Sequence, residues 1–514
     1  MTNPLLQMPV KKALITMAAP AAVGMLMTFL FQLVDSYFIG QLGSEELAAI
    51  SFSYPVYFFL LSFFIGSATA VSAKVGQALG SQDEHKAQGL TSLSLVFFML
   101  LLFILGGLAF NYESISIDAI FVLLGAKAGM LSLIGEYMLP LYLGFFLLIG
   151  TLVANSALMA KGVMVKSTLV MAVGGLINLV LDYLLIFGFE LNLSFYGLEV
   201  KPMGLAGAAW ATVISWAVML VLMFSLLIQQ QLFKFSALML NSRQAWSQAG
   251  RWFKDVYSLA VPAIAAQILA PIAIAVVTRF VAMSGGEAGS DAAVAAYGLV
   301  IRIESLGLVG ILALSVIMTP FIAQNYGALS NDQASSDQTT GDQVAMQRLD
   351  QAIAYSGRIT VYWGLLFYSL MLFLIEPLVA LFTDNTEIIQ HSKNYFYIVG
   401  ISLPAFGLLL ITTSFFNGVQ QGKRSLQLTL VKSLLLTIPL AIAGFYIADV
   451  LGIWFGIAIA NIIGAAYAGR LLNNWLIKNN SALVDKKVNE KVGHKVWQDY
   501  VSDLKSLKRF VRFK

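Results

Sequence analysis

The segment LSLVFFMLLLFILGGLAF, residues 93–110, contains 18 consecutive residues without a charged side chain. An α-helix rises about 1.5 Å per residue, so about 20 such residues cross a hydrocarbon core of about 30 Å. The segment therefore predicts a transmembrane helix rather than part of a soluble domain.

Apolar runs of this kind recur about twelve times along the 514 residues. Hydrophobic residues make up 59% of the chain and charged residues 11%, whereas soluble domains carry about 25% charged residues. We therefore predict an all-α integral membrane protein with twelve transmembrane helices. The approximate centres of the runs are Leu26, Phe59, Phe98, Phe146, Val173, Trp216, Ile268, Gly310, Phe367, Leu408, Leu436 and Ile459.

The residue inventory excludes several classes of function. The chain has no cysteine, which rules out disulfides, thiolate catalysis and cysteine metal sites. His85, His391 and His494 are scattered among polar residues, so no zinc site and no metal are expected. Lys11 and Lys12 precede an apolar run that is too long for a signal peptide, and we expect this run to be the first span.

Positive charge alternates from one connection between runs to the next. Lys161 and Lys166 lie in a basic connection, whereas Glu45 and Glu46 lie in an acidic one. Basic connections face the cytoplasm, so both termini of this multi-pass protein are predicted to be cytoplasmic. We expect the protein in the inner membrane of a bacterium. The same rule explains the basic tail, residues 477–514, for which we expect no nucleic-acid partner.

An ordered internal repeat relates the two halves of the sequence. We therefore predict two pseudo-symmetric six-helix bundles around a central cavity. The predicted boundaries are an N-terminal lobe at 1–228, a cytoplasmic linker at 229–254, a C-terminal lobe at 255–476 and the tail. The matching positions are Pro20 with Pro262, Gln77 and Gly80 with Gln324 and Gly327, and the segment 207–212 with 456–461.

Two acidic residues lie inside predicted spans of the first half. Asp35 is near the outer end of the first span and Asp182 is inside the fifth, where Asn178 precedes it by one helical turn. Thr212 and Asn155 add neutral oxygens. An intramembrane charge is costly and indicates a functional role. This group could hold a proton or Na⁺, because burial and a neighbouring like charge both favour a protonated carboxyl.

The second half lacks these acids, since the repeat places Val277 and Ile442 at the corresponding positions. Its ionisable residues include Arg302 and Glu304 in the eighth span. These two are candidates for the substrate cavity, together with Gln32 and Tyr37 in the first span, although a role in helix packing is equally compatible. Pro20 interrupts the first span and is a candidate gate or a fixed kink.

Several segments resemble the MATE multidrug and toxic compound extrusion transporters, in particular their DinF-like branch. The first-span segment VDSYFIGQLGSEELAA, residues 34–49, and the segment GQALG, residues 76–80, are similar to motifs of this family. The segments 296–304 and 324–328 are similar to its eighth span and the following loop. The resemblance extends over roughly residues 13–475.

The resemblance implies secondary active export of drugs or metabolites, often cationic, by antiport with H⁺ or Na⁺ and alternating access. The coupling aspartates of the DinF-like branch correspond to Asp35 and Asp182, and its supporting residues to Asn178 and Thr212. Pro20 corresponds to its kinking proline. The NorM-like branch has an acid in the seventh span, which falls near Ala270 here, so coupling in the N-terminal lobe is favoured, and H⁺ over Na⁺.

Two alternatives remain open at the level of sequence. One is a lipid-linked oligosaccharide flippase of the same superfamily, which would need cationic residues for pyrophosphate. The other is an intramembrane aspartyl hydrolase built on Asp35 and Asp182. We expect a transporter rather than an enzyme, no cofactor beyond the coupling ion, small molecules and the bilayer as partners, and a monomer.

Overall fold

The structure is a computed structural model that describes residues 4–193, 196–238, 242–284, 286–329 and 338–483. The greater part of the predicted tail, residues 484–514, lies outside these ranges, as do residues 330–337 of the polar connection that follows the eighth span.

Helices dominate the first half of the described chain. Asp83 caps α4, because its carboxylate accepts a hydrogen bond from the backbone N–H of Lys86 at 2.8 Å. The elements are α1 (Pro4–Gln7), α2 (Val10–Gly40), α3 (Ser44–Gly80), α4 (Glu84–Asn111), a first π-helix (Ser114–Ala119), α5 (Ile120–Leu123), α6 (Ala128–Ala160), α7 (Met164–Phe187), β1 (Phe189–Leu193), β2 (Tyr196–Val200), α8 (Gly204–Gln229) and a 3₁₀ turn (Phe235–Leu238).

The second half continues in the same way. Asn385 caps α13 by accepting a hydrogen bond from the backbone N–H of Glu387 at 2.9 Å. The elements are α9 (Arg243–Ala282), α10 (Gly286–Gly307), α11 (Val309–Ala328), α12 (Gln338–Ala380), α13 (Thr386–Ile398), a 3₁₀ turn (Gly400–Ser402), α14 (Leu403–Gly418), α15 (Gly422–Leu430), a second π-helix (Val431–Thr437) and α16 (Ile438–Leu483).

The described helices contain 11 stretches long and apolar enough to cross a membrane. The last stretch, Gly422–Asn479, is interrupted inside α16, where Ala448 and Asp449 leave helical geometry and Asp449 has a φ of 51°. The stretch therefore supplies two crossings, and all twelve predicted centres fall in these helices. The all-α prediction is confirmed, with one addition: β1 and β2 form a short antiparallel hairpin after α7.

The connection that follows the eighth span is helical over more of its length than its sequence predicts. The polar sequence from Leu329 to Gln351 predicts a mobile, low-complexity connection, but the chain is helical from Gln338 onward. Ala345, Met346 and Leu349 are buried in this part of α12, and their spacing of one and four residues places them on one helical face. Their burial explains why a largely polar segment is helical.

The chain divides into two compact units. The N-terminal unit comprises Ala19–Val75 and Asp83–Gln267. The C-terminal unit comprises the described parts of Met1–Ala18, Gly76–Gln82 and Ile268–Lys514.

Both units have the same internal packing pattern. In the N-terminal unit, α6 packs on α4 and α8, and α7 packs on α8; in the C-terminal unit, α14 packs on α12 and α16, and the second π-helix packs on α16. Gly207 approaches the carbonyl oxygen of Leu185, and Gly456 approaches that of Leu440 in the same way. The repeated glycines therefore make equivalent helix contacts, as the sequence repeat predicts.

A second pair of repeat motifs meets inside the C-terminal unit. A Cβ atom on Gly80 would lie 2.0 Å from the carbonyl oxygen of Gln324, and one on Gly327 would lie 2.1 Å from that of Gln77. The two contacts are reciprocal, because each motif supplies one glycine and one carbonyl. Only glycine permits so close a backbone approach.

The guanidinium of Arg348 holds the start of the chain against the C-terminal unit. It donates hydrogen bonds to the carbonyl oxygens of Leu5 at 2.6 Å and Met8 at 2.9 Å, and to Oδ1 of Asn325 at 2.8 Å. Its carbon atom also lies 5.8 Å from the ring centroid of Phe321. The planar, five-donor guanidinium suits such a three-way contact better than an ammonium would.

Replacing Arg348 with Ala should release the segment around α1. Hydrogen bonds to charged groups contribute about 1.5–3 kcal/mol each, and 1.4 kcal/mol corresponds to about tenfold in an equilibrium constant. We expect amide hydrogen exchange in residues 5–14 to accelerate by at least about tenfold. Gln347→Ala is the matched control, because Gln347 is the exposed neighbour on α12. Unchanged exchange in Arg348→Ala would contradict this role.

Candidate functional site

Asp35 lies near the C-terminal end of α2 in an apolar environment. Its Oδ1 atom is buried and forms no hydrogen bond within the described part of the chain. The neighbouring Ser36 donates to the carbonyl oxygen of Gln32 at 2.8 Å, and its hydroxyl lies 3.4 Å from that of Tyr54. A buried, ionised oxygen without a partner is costly, which makes this carboxyl a candidate for binding a proton or a cation.

Asp182 lies in α7 within a short polar network. Its side chain is 1% exposed. Nδ2 of Asn178 donates to Oδ1 of Asp182 at 3.2 Å and lies 3.3 Å from Oγ1 of Thr212 on α8. The prediction that Asn178 and Asp182 share one helical face is confirmed. The assignment of the amide nitrogen follows from this network.

The two carboxyl groups belong to one site. Asp35 and Asp182 interact electrostatically, and both interact with the phenol of Tyr137 on α6. Tyr57 on α3 interacts with Asp35 as well. The sequence interpretation missed both tyrosines, although a phenol inside a predicted span is a visible polar signal. Four helices of the N-terminal unit thus bring two acids, two phenols and an amide to one place.

The other predicted site residues lie outside this hydrogen-bonded group. Asn155 on α6 is half-buried, and none of its described neighbours forms a hydrogen bond with its side chain. Gln32 is exposed, and Tyr37 is 64% exposed, with its ring 5.9 Å from that of Phe38. Pro20 lies inside α2, where it removes the N–H that would bond to the carbonyl of Thr16.

A separate polar group lies inside the C-terminal unit. Tyr395 on α13 donates a hydrogen bond to Oε2 of Glu304 on α10 at 2.6 Å. Glu304 also interacts electrostatically with Lys432 in the second π-helix. Arg302 is exposed and forms no ion pair with Glu304 among the described residues. Sequence interpretation missed Lys432 and Tyr395, although Lys432 is a visible charge inside an apolar run.

Neither group resembles a dedicated metal centre. The described residues contain no cluster of three or more His, Cys, Asp or Glu side chains that could hold a metal ion. The chemistry available in the N-terminal unit is therefore that of two close carboxyl groups with neutral oxygens. Such a pair can exchange a proton, or it can coordinate a monovalent cation through oxygen atoms.

Comparison with known proteins identifies the family. A family model named MatE matches residues 20–184 and 343–443, just over half of the chain. The chain is 32% identical to the FAD transporter of Shewanella oneidensis over 89% of its own length and 93% of that protein. It is 24% identical to the multidrug export protein MepA of Staphylococcus aureus over 93% of its own length and 97% of that protein.

The fold agrees with this relationship. The crystal structure of the Vibrio cholerae MATE transporter VcmN, solved as a D35N mutant, superposes with a TM-score of 0.77 at 25% identity, covering 92% of this chain and 98% of that one. The prediction of a multi-pass transporter rather than an enzyme is thereby confirmed. This chain belongs to the MatE family of membrane transporters.

Proposed function

We propose that the chain is a secondary active exporter of small organic compounds that takes up H⁺ in exchange, with Asp35 and Asp182 as the coupling groups. The observation that carries this proposal is the Oδ1 atom of Asp35, which is buried and forms no hydrogen bond within the described part of the chain. The buried Asp182 interacts with Asp35 electrostatically. We propose further that it works in a bacterial inner membrane as a monomer, with both termini in the cytoplasm.

The physical basis is the cost of two negative charges in one low-dielectric site. Two neighbouring carboxylates in such a site repel each other, so a form in which one of them carries a proton is favoured over the doubly ionised form. Such a pair retains a proton until an opposite charge approaches or until it gains access to a compartment of higher pH. Asn178 and Thr212 support Asp182 in either state, because an amide and a hydroxyl can each donate or accept.

Na⁺ is the second candidate for the coupling ion. Carboxylate, amide and hydroxyl oxygens of Asp182, Asn178 and Thr212 are suitable ligands for it. A Na⁺ ion at Asp182 would need the amide oxygen of Asn178 as a ligand, whereas the structure places Nδ2, a donor, toward Asp182. H⁺ is therefore the first coupling ion to test.

The substrates proposed for testing follow from the named relatives. The relative from Shewanella oneidensis is an FAD transporter, and MepA is a multidrug exporter. We propose that flavins and amphipathic drugs define the range of molecules that this chain exports.

The test uses inverted membrane vesicles that contain the protein and a pH-sensitive dye under an acid-inside gradient. Addition of FAD or of a cationic drug should release protons in these vesicles but not in vesicles without the protein. If transport requires Na⁺ instead of H⁺, the coupling ion is Na⁺ and the export function stands. If no compound moves with either ion, the exporter proposal fails and lipid-linked oligosaccharide flipping becomes the next activity to assay.

A conformational role for Pro20 is a separate prediction. The chain passes from the C-terminal to the N-terminal unit between Ala18 and Ala19, so Pro20 weakens α2 beside that junction. Pro20→Ala restores a helical hydrogen bond and should slow transport severalfold while the protein remains folded. Pro55→Ala is the control, because Pro55 lies inside α3 and within the N-terminal unit. Equal transport rates in the two variants would contradict a gating role.

A further inference from the structure

Lys432 is a cation deep within a membrane-spanning helix. It lies ten positions after Gly422, where this helical stretch begins, which corresponds to about 15 Å along the axis. That distance is about half the thickness of a hydrocarbon core. Lys432 belongs to the second π-helix, where the hydroxyl of Thr437 donates to its carbonyl oxygen at 2.8 Å. Such π-helical turns are frequent at functional sites.

The ammonium group of Lys432 has no anionic partner in direct contact. Within the described part of the chain it forms no hydrogen bond and no ion pair. The ammonium lies over the ring of Phe406 on α14, whose centroid is 4.9 Å from Nζ. A cation–π contact stabilises an ammonium group only in part, so Nζ retains capacity for an anion.

Glu304 cannot easily supply that anion. Its carboxylate accepts the hydrogen bond from Tyr395, and Tyr395 is 4% exposed. The ring of Tyr395 packs edge-on against Trp454 at 5.0 Å, and Tyr297 stacks on Trp454 at 5.2 Å. This buried aromatic cluster holds Glu304 in place, so the carboxylate acts on Lys432 electrostatically without pairing with it.

We propose that Lys432 is a binding site for the anionic group of a transported molecule, with Phe406 contacting the aromatic part of that molecule. The ligand class is therefore an aromatic organic anion that carries a carboxylate or phosphate. Lys432 and Phe406 are both half-buried, so the protein covers neither residue completely. This inference rests on the proposed export function and specifies its substrate class.

The experiment measures ligand binding to purified protein in detergent with matched pairs of ligands. Flavin mononucleotide and riboflavin share one ring system, and only the first carries a phosphate; indole-3-acetate and indole-3-acetamide differ likewise in a carboxylate. Wild type should bind each anion at least about tenfold more tightly than its neutral counterpart, as one charge-assisted contact predicts. Lys432→Gln should remove this preference, and Lys432→Arg should retain most of it.

Lys423→Gln is the matched control, because Lys423 is exposed on α15 of the same stretch. It should bind like wild type. Equal affinity of wild type for both members of each pair would overturn the proposal, as would an unchanged preference in Lys432→Gln. A purely structural lysine would instead lower the melting temperature of Lys432→Gln without changing the ligand preference.

A transport assay with a cationic drug separates this inference from the proposed function. Wild type and the control Lys423→Gln should both export the cation in exchange for H⁺. If wild type exports the cation but shows no anion preference, the inference fails and the exporter function stands. If wild type prefers the anions but moves no compound, the export function fails and the binding site stands.

Discussion

Asp182→Asn is expected to abolish substrate-dependent proton release in inverted vesicles. The amide has nearly the shape of the carboxyl and can still accept the hydrogen bond from Asn178, but it cannot carry the proton. Asp35→Asn should have the same effect, because the proton belongs to the pair rather than to either residue. The measurement is dye-reported proton release on addition of FAD or a cationic drug.

The control for this prediction is Asp118→Asn. Asp118 is exposed in the first π-helix, so the identical chemical change should leave release unaltered. Asn178→Ala should weaken release without abolishing it, since it removes only support for Asp182. Full release in both Asp35→Asn and Asp182→Asn would remove the coupling assignment, while release lost in only one of them would identify that residue as the sole coupling group.

Gly80→Val is expected to destabilise the C-terminal unit more than valine at a helical glycine whose added Cβ would meet open space. Its Cβ would lie 2.0 Å from the carbonyl oxygen of Gln324, and a backbone atom cannot move aside as a side chain can. Overpacking in a well-packed interior costs about 1–3 kcal/mol and sometimes more. We expect a clearly lower melting temperature and a lower yield of monodisperse protein in detergent.

Gly327→Val should cause a similar loss, because its contact with Gln77 mirrors that of Gly80. The double variant should lose much less than the sum of the two, because either change already separates the same helix ends. Gly107→Val is the control, since a Cβ on Gly107 would meet no atom within 4 Å. Additive losses, or equal melting temperatures of Gly80→Val and Gly107→Val, would contradict the reciprocal contact.

The candidate site shows how much of a site the local spacing of residues in the sequence can predict. The spacing of Asn178 and Asp182 indicated one helical face, and a hydrogen bond joins them. Sequence spacing could not establish that Asp35 would interact with Asp182, which lies 147 positions further along the chain, or that Tyr57 and Tyr137 would join them. The position of both acids inside predicted spans and the family resemblance suggested the acidic pair. Their functional roles remain predictions.

The fold was determined largely by the sequence itself. Long uncharged runs have one stable form in a bilayer, because a helix satisfies every backbone group internally. Such runs predicted the twelve crossings, and ordered repeats predicted two related bundles. The sequence did not predict the helical start of α12, because this segment is mostly polar. Its three buried apolar residues are Ala345, Met346 and Leu349.

Only the tertiary structure decided which polar residues stand together and which stand apart. Glu304 lies near Arg302 in sequence, yet its partner is Tyr395 on α13, and Lys432 faces Phe406 on α14. Helical periodicity specifies the direction of a side chain around its own axis but not the neighbour that it meets. That neighbour depends on how helices distant in sequence pack, and at Gly80 and Gly327 on how closely two backbones approach.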